Sequence, residues 1–232
     1  MRQLTVASWN IHGGIGTDRR CDLGRVLDVI TTFDADILAL QEVDGRSQFG
    51  RQKNAFERLT AALGGHIVEA RTIRRQDRDY GHLLWSRWPL EETSVHTLPG
   101  GGLEMRATIE ARVMTPGAPL RVFATHFGLM AGARRRQAAF LAALARTSRE
   151  PVLILGDFNE WRRRGPVHAA LSAVLPECAA PLTWPARRPR VPLDRLYGST
   201  GLDLEIVADD GRMSAAAMAS DHRPVLAHLR VG

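Results

Sequence analysis

The sequence predicts an α/β fold in which two β-sheets pack together with helices outside. Three observations carry that prediction. Apolar runs with strand-like alternation or length recur along the chain, interspersed with a few amphipathic helical segments. Strand-like segments outnumber helical ones, and several adjoin as hairpins. The 232 residues show no Pro/Gly/Ser linker, composition break or repeat, so residues 1–232 read as one domain. A chain of that length buries most of its apolar surface without staples.

The elements follow in order. "LTVASW" (4–9) reads as a strand, "DLGRVLDVITTF" (22–33) as a helix and "DILALQEV" (36–43) as a buried strand. "KNAFERLTAALGG" (53–65) is an amphipathic helix closed by glycines, a common stop signal. "GHLLWS" (81–86) and "TSVHTL" (93–98) are short strands, and "RATIEARV" (106–113) alternates as a half-exposed antiparallel strand does. "LRVFATHF" (120–127) is a strand; "ARRRQAAFLAALAR" (133–146) is a helix with Phe140, Leu141 and Leu144 on one side. "PVLILGDF" (151–158) is the most buried strand, and "RLYGS" (195–199), "LDLEIV" (202–207) and "PVLAHLRV" (224–231) close the chain. Two long polar loops remain, "RTIRRQDRDYG" (71–81) and "TWPARRPRVP" (183–192).

Composition narrows the function classes. Cys21 and Cys178 are too few and too far apart for a disulfide framework or a zinc site. The N-terminus lacks a signal peptide's apolar core, and no run approaches the roughly 18–20 apolar residues of a membrane span. A reducing cytoplasm is the expected location. The formal net charge is +6, which suits anionic partners such as nucleic acid, phospholipid or phosphate esters. Only Lys53 is lysine and the other 30 basic residues are arginine, so coding bias and a basic surface with no dedicated partner explain the balance equally well. No protein partner is indicated.

Acid, amide and imidazole groups collect at strand ends. Asn10 follows "LTVASW", Glu42 follows "DILALQ", His126 follows "LRVFAT", and Asp157 and Asn159 end "PVLIL". Asp194 begins "DRLY", and Asp221 and His222 precede "RPVLAHL". Taken singly, each has a structural reading as turn residue, cap, salt-bridge partner or hydrogen-bonded histidine. Taken together on neighbouring strands, they meet at one sheet edge. Glu42, Asp157 and Asp221 in one small volume repel, and a divalent cation removes that conflict. Oxygen ligands with an amide and no cysteine favour Mg²⁺ or Mn²⁺ over zinc. Two histidines add proton-transfer groups near neutral pH. The ensemble fits in-line attack of water on a phosphoester.

"SWNIHGG", "LQEVD", "LLWSRWPL", "THFG", "GDFNEW", "LDRLY" and "SDHRPV" occur in the order seen in the endonuclease/exonuclease/phosphatase superfamily, and the chain resembles its small bacterial members from residue 5 to about residue 230. The resemblance implies a four-layer α/β sandwich: two central mixed β-sheets packed face to face, with helices on both outer sides. It implies metal-holding or metal-orienting roles for Asn10, Glu42 and Asp221. It implies that Asp157 positions or activates water and that Asn159 contacts phosphate. It further implies that His222, oriented by Asp194, transfers a proton or binds phosphate, and that His126 stabilises the transition state or assists the leaving group. Whether Asp157 or His222 is the base stays open.

His82 and Trp85 depart from residues common in relatives and are expected to flank the site. Arg106 and Arg188, with Arg187 and Arg190, are candidates to grip a phosphate, since guanidinium forks suit it. Trp184 either stacks on a base or packs against the sandwich. The leading expectation is a Mg²⁺-dependent phosphodiesterase or phosphatase, with Mn²⁺ as an alternative ion. A DNA or RNA endonuclease comes second and a non-catalytic phosphate-binding module third.

Overall fold

In the computed structural model of the chain, residues 3–74, 79–100, 104–209 and 211–231 are described. The elements are β1 (Gln3–Asn10), α1 (Leu23–Thr31), β2 (Ile37–Asp44), α2 (Ala55–Leu63), β3 (His66–Ile73), β4 (Tyr80–Ser86), β5 (Leu90–Thr97), β6 (Ala107–Val113) and β7 (Leu120–His126). They continue with α3 (Ala131–Thr147), β8 (Val152–Asp157), α4 (Pro166–Ser172), β9 (Glu177–Ala179), β10 (Asp194–Gly198), β11 (Leu202–Ile206), α5 (Arg212–Ala219) and β12 (Val225–Val231). Two six-stranded mixed sheets result, with orders β11-β12-β1-β2-β4-β3 and β5-β6-β7-β8-β10-β9. The central pairs β1/β2 and β7/β8 are parallel; every other neighbour is antiparallel.

Period-two alternation explains the layers. Leu4 and Val6 of β1, Ile37 and Ala39 of β2, and Leu153 and Leu155 of β8 face the core between the sheets. Ala7, Trp9, Leu38 and Leu40 face the other way, against Val26, Val29 and Ile30 of α1, Phe56 and Leu59 of α2 and Ala216 of α5. Phe123, Ile154 and Tyr197 turn out toward Leu141 and Ala142 of α3 and Val167 and Leu171 of α4. Helices therefore cover both outer faces, as expected of a four-layer sandwich. Each fully buried Leu, Ile or Phe removes apolar area worth roughly 1.5–3 kcal/mol.

The structure differs from the sequence reading at several elements. Residues 71–73 and 80–81, read as part of a loop, belong to β3 and β4, while 75–78 lie outside the described residues. The elements β3, α4, β9 and α5 carry weak signals: a half-exposed edge strand, a seven-residue helix that begins with a proline, a strand of three residues, and a short alanine-rich helix. On α3 the buried stripe is Ala133, Gln137, Ala138, Leu141, Ala142 and Ala145, with Phe140 and Leu144 at its margins. Trp85 does not flank the site. It lies on the outer face of β4, where its indole donates to the Gly64 carbonyl at 2.7 Å, because alternation sends it opposite to Leu84.

Candidate active site

The inward rows of the strands turn polar at one end of the sandwich. On β1 the row runs Leu4, Val6, Ser8, Asn10; on β7 Val122, Ala124, His126; on β8 Leu153, Leu155, Asp157. On β4 and β10, Leu84 and Leu196 give way to His82 and Asp194. Register aligns these ends: His126 lies beside Asp157, and Asp194 lies opposite Asp157 on the other flank. Gly156 permits the tight β7/β8 approach, since a Cβ there would stand 2.0 Å from the Thr125 carbonyl oxygen. In β2 the register shifts between Leu40 and Val43, and Glu42 has φ of 54°. This bulge adds one residue and aims Glu42 inward beside Gln41.

Asn10 joins the two sheets chemically. Its Nδ2 donates to Glu42 Oε1 at 3.1 Å and to Asp157 Oδ2 at 3.0 Å. Its Oδ1 accepts from the His12 backbone N–H at 3.0 Å, and a backbone N–H can only donate. That contact fixes which end of the amide meets the carboxylates. Asp157 Oδ1 accepts from the Asn159 N–H at 2.8 Å, and the Asn159 side chain donates to the Phe127 carbonyl at 2.9 Å. Asn159 sits at φ 51°, so the chain turns sharply after the strand.

Across the strand pair, Asp194 Oδ2 meets His222 Nδ1 at 2.8 Å, with Asp194 fully buried and His222 nearly so. Burial opposes a charge on His222, but Asp194, Asp157 and Asp221 prevail and lift its pKa to about 10. Burial and the neighbouring Asp194 push Asp157 up to about 7, against His222, Asn10 and the Asn159 amide. His126 goes the other way: burial, Arg106 and the other two histidines hold it well below its ordinary value, although Asp157 Oδ2 is 3.6 Å away. Arg106 Nη1 stands 2.7 Å from His126 Nδ1, and its Nη2 pairs with Glu104 at 2.8 Å. His82 is buried behind this pair, and burial lowers its pKa to about 4.

The donor set fits a hard dication. Asp157, Asp194 and His222 offer atoms that all lie within 4.8 Å of one another. Asp194 Oδ1 is buried with no hydrogen-bond partner. Glu42, about a quarter exposed, opens the cluster to solvent. The donors among these are carboxylate oxygens, since His222 is held protonated, and both cysteines stand free elsewhere, a combination that suits Mg²⁺ or Mn²⁺ rather than a thiophilic metal.

Of the residues singled out in the sequence, Asn10, Glu42, His126, Asp157, Asn159, Asp194, His222 and Arg106 assemble here. Asp221 stands at the rim instead, 3.4 Å from His12 Nδ1 and accepting from Trp184 Nε1 at 3.3 Å. The carboxylate facing Asp157 in the strand register is Asp194. Trp184 packs against Trp161, ring centroids 5.3 Å apart. Arg188 and Arg190 are exposed on the same loop, and Arg187 donates to Thr17 Oγ1 at 3.0 Å. Sequence reasoning missed His12, whose place two residues after Asn10 in "NIHGG" was the available signal. It also missed Arg195, buried and donating to the carbonyls of Pro192, Glu160 and Arg162, which anchors the loop after Asn159.

Comparison with known proteins bears on the family and the fold. The chain is 29% identical over 210 residues to YbhP of Escherichia coli (strain K12), covering 83% of each chain. Its fold superposes on an endonuclease/exonuclease/phosphatase from Bacteroides vulgatus with a TM-score of 0.78, at 17% identity and full coverage of both chains. It also superposes on the mannosyl-6-phosphatase Bt3783 of Bacteroides thetaiotaomicron with a TM-score of 0.72, at 16% identity, covering 98% of this chain and 99% of that one. The model of the Endonuclease/Exonuclease/phosphatase family matches residues 7–222. With that match spanning nearly all of the sandwich, the chain belongs to the endonuclease/exonuclease/phosphatase family, a family of phosphoester hydrolases.

Proposed function

We propose that the chain is a Mg²⁺- or Mn²⁺-dependent phosphoesterase that hydrolyses its substrate by in-line attack of water. The observation that carries this reading is the pair of hydrogen bonds that Asn10 Nδ2 donates to Glu42 and Asp157, which couples carboxylates of the two sheets beside the Asp194–His222 pair. Glu42 is the principal candidate to hold the ion, with Asn10 orienting the Glu42 and Asp157 carboxylates around it. The bound ion supplies Lewis-acid polarisation of a phosphoryl oxygen and offsets the carboxylate charge.

The protonation states divide the remaining work. Asp157, at about 7, is poised to take a proton from the attacking water at neutral pH. His222, at about 10, is an imidazolium whose Nδ1–H is held by Asp194. Its Nε2–H is then free to give a proton to the departing oxygen as the P–O bond breaks. Arg106 and His126 stand ready to donate to the phosphoryl oxygens, with the second N–H of the Asn159 amide. Fixed donors in a buried site are worth more than the same donors in water. The likeness to a mannosyl-6-phosphatase supports monoesters as substrates alongside diesters.

The test is hydrolysis of bis-p-nitrophenyl phosphate and p-nitrophenyl phosphate by EDTA-stripped protein with Mg²⁺ or Mn²⁺ restored. Turnover should return with the metal, and Asp157→Ala should lower it at least about a hundredfold. Wild-type protein inert with both ions would favour a non-catalytic phosphate-binding module.

A further inference from the structure

Among the described residues, the loops at the site end of the sandwich carry most of the exposed large hydrophobic side chains. Among the described residues nine large hydrophobics are exposed, and six of them stand on these loops: Phe49, Met105, Leu129, Met130, Trp161 and Leu182. Leu129, Met130 and Trp161 are 72%, 69% and 57% exposed. The loops are tied together: the Asn159 side chain bonds the Phe127 carbonyl, Arg136 bonds the Gly100 carbonyl at 3.0 Å, and Trp161 packs on Trp184. Large exposed apolar side chains concentrated on the loops at the end that bears the polar cleft, rather than scattered over the surface, suit an interaction site.

Charge accompanies these side chains. Arg134–136 stand four residues beyond Met130, on the first turns of α3, and Arg162–164 follow Trp161 directly. Arg135, Arg163 and Arg164 make no ion pair among the described residues. The three arginines of α3 lie in its N-terminal part, and its first turn carries no acid. That placement adds positive charge to the positive end of the helix dipole, against local stability. Such a locally unfavourable choice points to a role outside the fold.

We infer that this rim docks onto an anionic lipid bilayer, so that the site faces the headgroup layer and acts on a phosphoester held there. The inference rests on the hydrolase reading for its substrate and on the rim alone for its docking. Arginines match the negative surface potential, and Leu, Met, Phe and Trp partition into the headgroup–acyl boundary. Exposed aliphatic side chains are what favour a bilayer over a nucleic acid, which would use the arginines and Trp161 but not Leu129, Met130 or Leu182.

The test is co-sedimentation of the full chain with vesicles of phosphatidylcholine alone and of phosphatidylcholine mixed with phosphatidylglycerol. Binding should require phosphatidylglycerol and weaken with salt. Leu129→Ser with Met130→Ser should reduce partitioning at least about tenfold, and Arg163→Ala with Arg164→Ala about 25-fold. Both double variants should keep the wild-type melting temperature and hydrolysis of soluble bis-p-nitrophenyl phosphate. Wild-type protein left in the supernatant with anionic vesicles overturns the inference, as do variants that sediment like wild type. Retention of single-stranded DNA without vesicle binding overturns it in favour of nucleic acid. In each case the soluble-substrate assay reports separately on the hydrolase.

Discussion

Replacing Asp194 by Asn leaves a side chain that can still accept from His222 Nδ1 but removes the negative charge. In the wild-type protein that charge is the leading influence lifting His222 from 6.5 to about 10. Without it, burial dominates and the imidazole becomes neutral near pH 7. The consequence for stability follows from proton linkage. A histidine whose folded pKa is raised stabilises the fold fully below pH 6.5, and that contribution disappears as pH rises toward 10. At about 1.4 kcal/mol per pH unit, the metal-free wild type should lose on the order of 4 kcal/mol between pH 7 and 10 through this group. Asp157 adds a lower window of the same sign: its pKa is raised from 3.8 to about 7, so its contribution is fully present below 3.8 and is lost as pH rises from there to about 7. Asp194 is the second cause of that shift, so the substitution should shrink this loss too. Urea unfolding of EDTA-treated protein at a series of pH values measures both effects. The Asp194→Asn profile should be nearly flat between pH 7 and 10 in this respect. A loss equal to that of wild type would refute the assignment of His222's charge to Asp194.

Three further outcomes follow. Asn10→Ala deletes the donor shared by Glu42 and Asp157; it should cost about 2–4 kcal/mol of metal-free stability and lower turnover on bis-p-nitrophenyl phosphate at least about tenfold, read by denaturant melts and steady-state rates. Gly156→Ala places a Cβ 2.0 Å from the Thr125 carbonyl oxygen, so it should destabilise by roughly 3 kcal/mol or more; a thermal midpoint like wild type's would contradict the packing described. Arg106→Ala removes the cation beside His126, and the imidazole pKa should rise, as seen by histidine NMR, while KM increases about 10- to 100-fold.

Much of this arrangement was legible in the sequence because it follows from alternation. Long apolar runs such as "PVLILGDF" could only be buried strands, and polar residues at their ends had to emerge together once those strands shared a sheet edge. The parity that puts Asp157 with Leu155 also puts His126 with Ala124. What alternation cannot supply is pairing between distant strands. That Asp194 rather than Asp221 faces Asp157 depends on the β8/β10 register, set by packing across residues far apart in the chain. The inward aim of Glu42 depends on a bulge with positive φ at a non-glycine residue, which no local rule announces. The same holds for Trp85, where one step of parity separates a site neighbour from an outer-face residue. β3 hid because a half-exposed edge strand mixes apolar and charged residues without a clean period.

The most direct test of the account is an anomalous difference map from crystals of the protein soaked in Mn²⁺. A peak bound to the Glu42 carboxylate, within the cluster of Asp157, Asp194 and His222, is the expected result. A fully soaked crystal with its manganese elsewhere, and only solvent between those side chains, would contradict the claim that the two sheets meet to hold a catalytic ion.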